Sequence, residues 1–89
     1  MNKYYKIIDN DSNGNFPYKF FIETDKDDYP IKFIEIFLNE TFNYATDSLE
    51  NGTFLPPLKI HIEEYEDCKE ITKEEFYDEW KIRVDKELP

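Results

Sequence analysis

Cysteine, glycine, histidine and long apolar runs are all scarce in this chain, and each scarcity excludes something. Cys68 is the only cysteine, so no internal disulfide can form, which fits a reducing compartment. Two glycines cannot build a loop of the phosphate-cradling kind. His61 is the only histidine, and no serine or cysteine stands with a base at a recognisable spacing, so there is no nucleophilic constellation. One His and one Cys fall short of the roughly four ligands zinc takes. The greasiest run, IKFIEIFL at 31–38, is interrupted by Lys32 and Glu35 and is far shorter than a membrane span. The opening MNKYYKIID has no apolar core of signal-peptide length. These absences lead us to expect a cytoplasmic, non-enzymatic chain with no cofactor, no metal and no membrane partner.

What the chain has instead is carboxylates and aromatic rings. It carries 21 acids against 11 bases, a net charge of −10, and is 18% aromatic. The aromatics suffice for a packed core and argue against disorder, and 89 residues make one domain, 1–89. The charge is uneven: residues 63–89 hold 11 acids and five bases, while 53–62 carry a single Lys59 beside no acid. The densest stretch, EEYEDCKEITKEEFYDE at 63–79, has nine carboxylates and two lysines in 17 residues. Such a balance repels nucleic acid and anionic membranes and favours a basic partner.

Along the chain, KYYKIID (Lys3–Asp9) and PYKFFIET (Pro17–Thr24) read as strands, joined through a turn cluster centred on Asn13-Gly14 into an antiparallel hairpin. Ile31, Ile34, Leu38, Phe42, Ala45 and Leu49 recur at steps of three or four, widened by Phe33, Phe37 and Tyr44. With Pro30 in a first turn and Gly52 near a C-cap, the spacing predicts a helix over about 30–50. So wide a stripe needs cover on two sides, from the sheet and a second helix or from a dimer partner. After Pro56-Pro57, Leu58, Ile60 and Ile62 alternate with Lys59, His61 and Glu63, predicting a third strand to about Tyr65. Thr72 with Glu75 three residues on makes a capping box, and Phe76, Tyr77, Trp80, Val84 and Leu88 share one face of the helix that follows. Ile82 does not fit, and Trp80, Ile82 and Val84 also alternate as a strand would; the cap favours the helix. The expected fold is α+β, a small single-layer antiparallel sheet with packed helices in the order ββαβα.

Two stretches carry candidate chemistry. Asp9–Gly14 (DNDSNG) matches the first half of a calcium loop, but Phe20 stands where the closing glutamate belongs, so the bland reading is a hairpin turn. In the acidic stretch, Glu74/Asp78 and Glu75/Glu79 are like-charge pairs at i,i+4, partly relieved by Lys81 and Arg83, and Glu64 and Glu66 project to one side of the third strand. Rows of carboxylates at such spacings present to a basic groove what a row of phosphates would.

Four pieces resemble, in the same order, the small acidic anti-CRISPR proteins that inhibit the type II effector nuclease by mimicking DNA. They are Asn13–Asn15, KFIEIFLN at Lys32–Asn39, EYED at Glu64–Asp67, and EEFYDE at Glu74–Glu79 with the later Glu87-Leu88. That family has an N-terminal helix this chain lacks, and CKEITK separates pieces that run almost directly on there. The resemblance implies a stoichiometric inhibitor whose partner is a basic nucleic-acid-binding protein, a nuclease, with no direct binding to nucleic acid. Arginines that read the effector's short duplex motif would be occupied by Asp67 first, then Glu66, Glu70, Glu74 and Glu75, with Glu64, Asp78 and Glu79 alongside, and the hairpin tip with Asn13 and Asn15 would reach a neighbouring region. Two alternatives stay open: an intracellular immunity protein or antitoxin against a basic toxin, and a small calcium-binding or structural module. The oligomeric state is open too.

Overall fold

The computed structural model describes residues 1–10, 14–65 and 67–86. It is strand-rich. β1 (Lys3–Ile8), β2 (Lys19–Thr24), β3 (Pro30–Ile36), β4 (Phe42–Thr46), β5 (Glu50–Asn51) and β6 (Cys68–Glu70) form one sheet, followed by a single short helix, α1 (Lys73–Trp80), which continues as a π-helical turn over Lys81–Asp85. The sheet order is β5-β4-β3-β2-β1-β6, with antiparallel pairing throughout these strands. The chain thus meanders from β1 to β5, then crosses the whole sheet to add β6 beside β1.

This corrects the ββαβα expectation at its centre: the 30–50 stretch is not a helix but β3 and β4. Two compact turns of the same design fold it that way. In the β2–β3 turn, Asp25 Oδ1 accepts the amides of Asp27 (2.9 Å) and Tyr29 (3.1 Å), and Asp28 takes a φ of +70°. In the β3–β4 turn, Asn39 Oδ1 accepts Thr41 N (3.1 Å) and Thr41 Oγ1 (2.6 Å), and Glu40 takes a φ of +68°. Short Asp and Asn side chains that bond the backbone two residues on favour turns over helix. Pro30, expected to open a helix, is instead the first residue of β3, where a strand tolerates the missing N–H.

The helical periodicity misled because the sheet is covered on both faces. Along β3, Ile34 and Ile36 face α1 while Phe33 faces the other way, and all three are buried. Strands buried on both sides read as continuous apolar runs rather than as alternation. On one face Tyr4, Phe21, Ile34, Ile36 and Tyr44 pack under Ile71, Phe76, Trp80 and Val84. On the other, Ile7, Ile22 and Phe33 pack against Ile60 and Leu55, which belong to the crossing segment 53–61.

That crossing segment is the second correction. Leu58–Tyr65 is not a strand; it is irregular apart from one 3₁₀ turn at Ile62–Glu64. Its role is to roof the sheet, and Ile60 N fastens it by donating to Asp28 O (2.9 Å). Leu58 is left exposed. The extra strand comes later, at β6, where the sequence shows only a charged tripeptide. The hairpin of β1 and β2 stands where the sequence places strands, though its turn residues Asp11, Ser12 and Asn13 lie outside the described residues. No helix among the described residues is long and apolar enough to cross a membrane.

Candidate protein-binding site

Helix α1 is the most firmly built carrier of carboxylates. Thr72 has the extended backbone of an N-cap and its Oγ1 accepts Glu75 N (3.1 Å). Glu74 and Glu75 in the first turn meet the positive end of the helix dipole. Phe76, Trp80 and Val84 are driven inward and buried, each burial contributing about 1.5–3 kcal/mol. The remaining positions must therefore point out: Glu74, Glu75 and Asp78 are exposed, and none of them forms an ion pair among the described residues. Glu79 differs. It accepts Arg83 Nε at 2.8 Å, and Arg83 also reaches Glu40 at 3.2 Å, so Glu79 serves to tie the helix end to the β3–β4 turn. Hydrogen bonds to both carboxylates keep the guanidinium of Arg83 above its usual pKa despite burial.

The other expected site residues lie elsewhere. Glu64 is exposed in the 3₁₀ turn, not on a strand end, and Glu66 and Asn13 fall outside the described residues. Asn15 is exposed in the β1–β2 connection. Asp67 precedes β6; its carboxylate accepts Asn10 Nδ2 at 2.7 Å and its carbonyl accepts Ile8 N at 2.9 Å. Asp67, Glu64, Asp9 and Asn10 line an open hollow of about 390 Å³ with Tyr65. Glu70 ends β6 opposite Tyr5, on the sheet face away from α1. The carboxylates therefore form two groups, a helix ridge and a loop edge. Lys6 and Lys69, Cα partners across β1 and β6, stand on the α1 side of the sheet between them.

Sequence reasoning missed the most buried charge among the described residues. Glu23, in β2, is only 3% exposed. Its carboxylate accepts Tyr77 Oη (2.6 Å), Asn2 Nδ2 (2.8 Å) and Tyr4 Oη (3.1 Å), with Lys32 Nζ at 3.9 Å. Lys32 donates to Tyr77 Oη at 2.9 Å and sits over the rings of Tyr77 and Trp80. Burial, then the Glu23 charge, push the Tyr4 phenol up to about 12; burial and the Glu23 hydrogen bond raise Tyr77 as well. The available signal was Phe21: an aromatic at the alternate position between Lys19 and Glu23 says that this face of the strand is covered. A second such pair lies on the opposite face, where Lys3 (3.0 Å) and Tyr5 (3.2 Å) hold the Asp28 carboxylate below its usual pKa.

Cys68 is half-buried, and burial raises its thiol pKa. His61 is exposed, 3.6 Å from Glu63. Among the described residues no group of three or more His, Cys, Asp or Glu side chains is placed to hold a metal ion. No protein-family model, no curated protein and no solved structure matches the chain.

Proposed function

We propose that this protein is a stoichiometric inhibitor that offers carboxylates to a basic, nucleic-acid-binding cleft of another protein, acting as a mimic of DNA. The observation that carries this reading is the outer ridge of α1. Among the described residues Glu74, Glu75 and Asp78 form no ion pair, and Phe76, Trp80 and Val84 anchor the helix beneath them. Carboxylates held rigidly and left unneutralised form short, charge-assisted bonds to arginine at little ordering cost. Asp67 and Glu64 at the loop edge supply a second, separate set, and Glu70 lies on the sheet face away from α1. The resemblance of Asn13–Asn15, Lys32–Asn39, Glu64–Asp67 and Glu74–Glu79 to the anti-CRISPR family makes the type II effector nuclease the first partner to try.

The test is capture and competition. The wild-type chain should bind the nuclease, displace duplex DNA from it, and associate more slowly as salt is added. The triple variant Glu74→Lys, Glu75→Lys, Asp78→Lys should lose about 2–5 kcal/mol of binding, the range for truncating a desolvated charge pair. Reversal of the exposed Asp47 and Glu50 on the far edge of the sheet serves as control. Undiminished binding by the triple variant would refute the reading.

A further inference from the structure

Beside the acidic ridge of α1 the sheet carries a patch of the opposite sign. Lys6 and Lys69 are directly opposite one another across β1 and β6. Lys19 lies on the same face, diagonal to Lys6, since it pairs with Ile8. Like charges directly opposite in a sheet repel, and in a chain with 21 acids one would expect carboxylates to relieve them. None does: among the described residues Lys6, Lys19 and Lys69 form no ion pair within 4 Å. Asp67 borders the hollow beside Lys6 and Lys69, but its carboxylate is taken by Asn10. On the other flank a groove of about 250 Å³ separates Lys6 and Lys19 from Glu75, Asp78 and Glu79, with Phe21 as its floor and Ile82 at its rim. Ile82 is 60% exposed, an apolar side chain among charges.

We propose that this face is the interface of a two-fold homodimer, in which the α1 ridge of each copy sits against Lys6, Lys19 and Lys69 of the other. A patch whose adjacent halves are of opposite sign is self-complementary under a two-fold axis: each ridge meets the partner's lysines, and the pairing closes. One contact relieves both stored repulsions, the lysine pair and the helix acids, and places the two exposed Ile82 side chains near the axis. A free anion gains only the lysine half and meets the carboxylates of the opposite wall. Extension of the sheet through β6 is disfavoured, because that edge is three residues long and two copies centred on Lys69 would oppose lysine to lysine. Each copy carries a net charge of −10, but that repulsion is spread over 33 × 29 × 24 Å and is largely screened at about 0.1 M salt, where contact ion pairs still act.

Sedimentation equilibrium tests this. At about 0.1 M salt the mass should approach twice 10.9 kDa, and it should fall towards the monomer near 1 M, where the screening length is about 3 Å. The variant Lys19→Glu, Lys69→Glu and the variant Glu75→Lys, Asp78→Lys should each weaken self-association about tenfold or more, while their equimolar mixture regains the dimer. Circular dichroism checks that both remain folded, and the exposed Lys69→Glu alone serves if the double change does not fold. A wild-type monomer at about 0.1 M salt, a dimer indifferent to both reversals, or a mixture that stays monomeric would each overturn the proposal. Weakening by the lysine reversal alone would also overturn it, because it marks an anion site. The second copy would occupy the ridge that the proposed function offers to a basic cleft, so that cleft must displace it; the lysine reversals leave the α1 carboxylates in place, so they should lose the dimer and keep the inhibited partner.

Discussion

The phenol of Tyr77 donates a 2.6 Å hydrogen bond to the carboxylate of Glu23, 54 positions earlier in the chain. This one bond joins the middle of the sheet to the helix that roofs it, and Lys32 approaches both groups. The helix is therefore fixed in rotation, not merely stuck down by Phe76 and Trp80.

Removing that bond should be felt as stability. Tyr77→Phe deletes a donor to a nearly buried carboxylate and should cost about 1–3 kcal/mol. Glu23→Gln removes the counter-charge of Lys32 but keeps an acceptor oxygen, so it should cost less than Glu23→Ala, which removes both. Urea denaturation monitored by Trp80 fluorescence reads all three. Equal midpoints for wild type and Tyr77→Phe would show that apolar packing alone seats the helix.

The same buried phenols set an alkaline limit. Tyr4 and Tyr5 ionise at about 12 in the folded protein, against 10.0 for a free phenol. Between those values the unfolded chain has released protons that the folded chain retains, so stability falls as pH rises. The contribution is complete below pH 10 and is lost through about 12. Asp28 acts at the other end: its lowered pKa contributes stability above the ordinary carboxylate value, lost as pH falls through the depressed one. Tyrosinate absorbance and circular dichroism followed together should show part of the phenol signal appearing only as the sheet melts; ionisation of all seven tyrosines near 10 without melting would contradict this burial.

Two substitutions separate the strand architecture from the helical one. Ile34 is fully buried in β3 and Leu38 is 54% exposed in the turn after it. Ile34→Asp should unfold the domain or cost at least about 3 kcal/mol, whereas Leu38→Asp should stay within about 0.5 kcal/mol of wild type. On a helix over 30–50 both would have been ruinous. Thermal melts of the pair decide the matter.

What the sequence showed plainly was local. The strand pattern before and after Asn13-Gly14, the Thr72 cap with its helix, and the relief of Glu79 by Arg83 are each written within a few residues. What it hid was long-range. The roof of residues 53–61 makes β3 look helical by burying Phe33 as well as Ile34, and nothing near β3 announces that roof. The pairing of Lys6 with Lys69 arises only because the chain returns to β1, so the basic patch that divides the carboxylates into two groups has no local signature. Glu70 reads as part of a continuous acidic row, but β6 turns it to the sheet face away from Glu74.

The return of the chain to β1 also dictates an order of events during synthesis. The meander from β1 to β5 is complete once residue 51 has emerged, yet its Tyr4, Phe21, Ile34 and Tyr44 side remains bare until Phe76, Trp80 and Val84 follow. The emerging chain thus carries an uncovered aromatic sheet until residues 52–84 have followed, the interval in which unpaired edges and open faces invite aggregation. After the crossing segment 53–61, the acidic stretch 63–79 appears. Its charge arrives while that sheet is still open, so the residues that shape the finished surface also keep the unfinished chains apart.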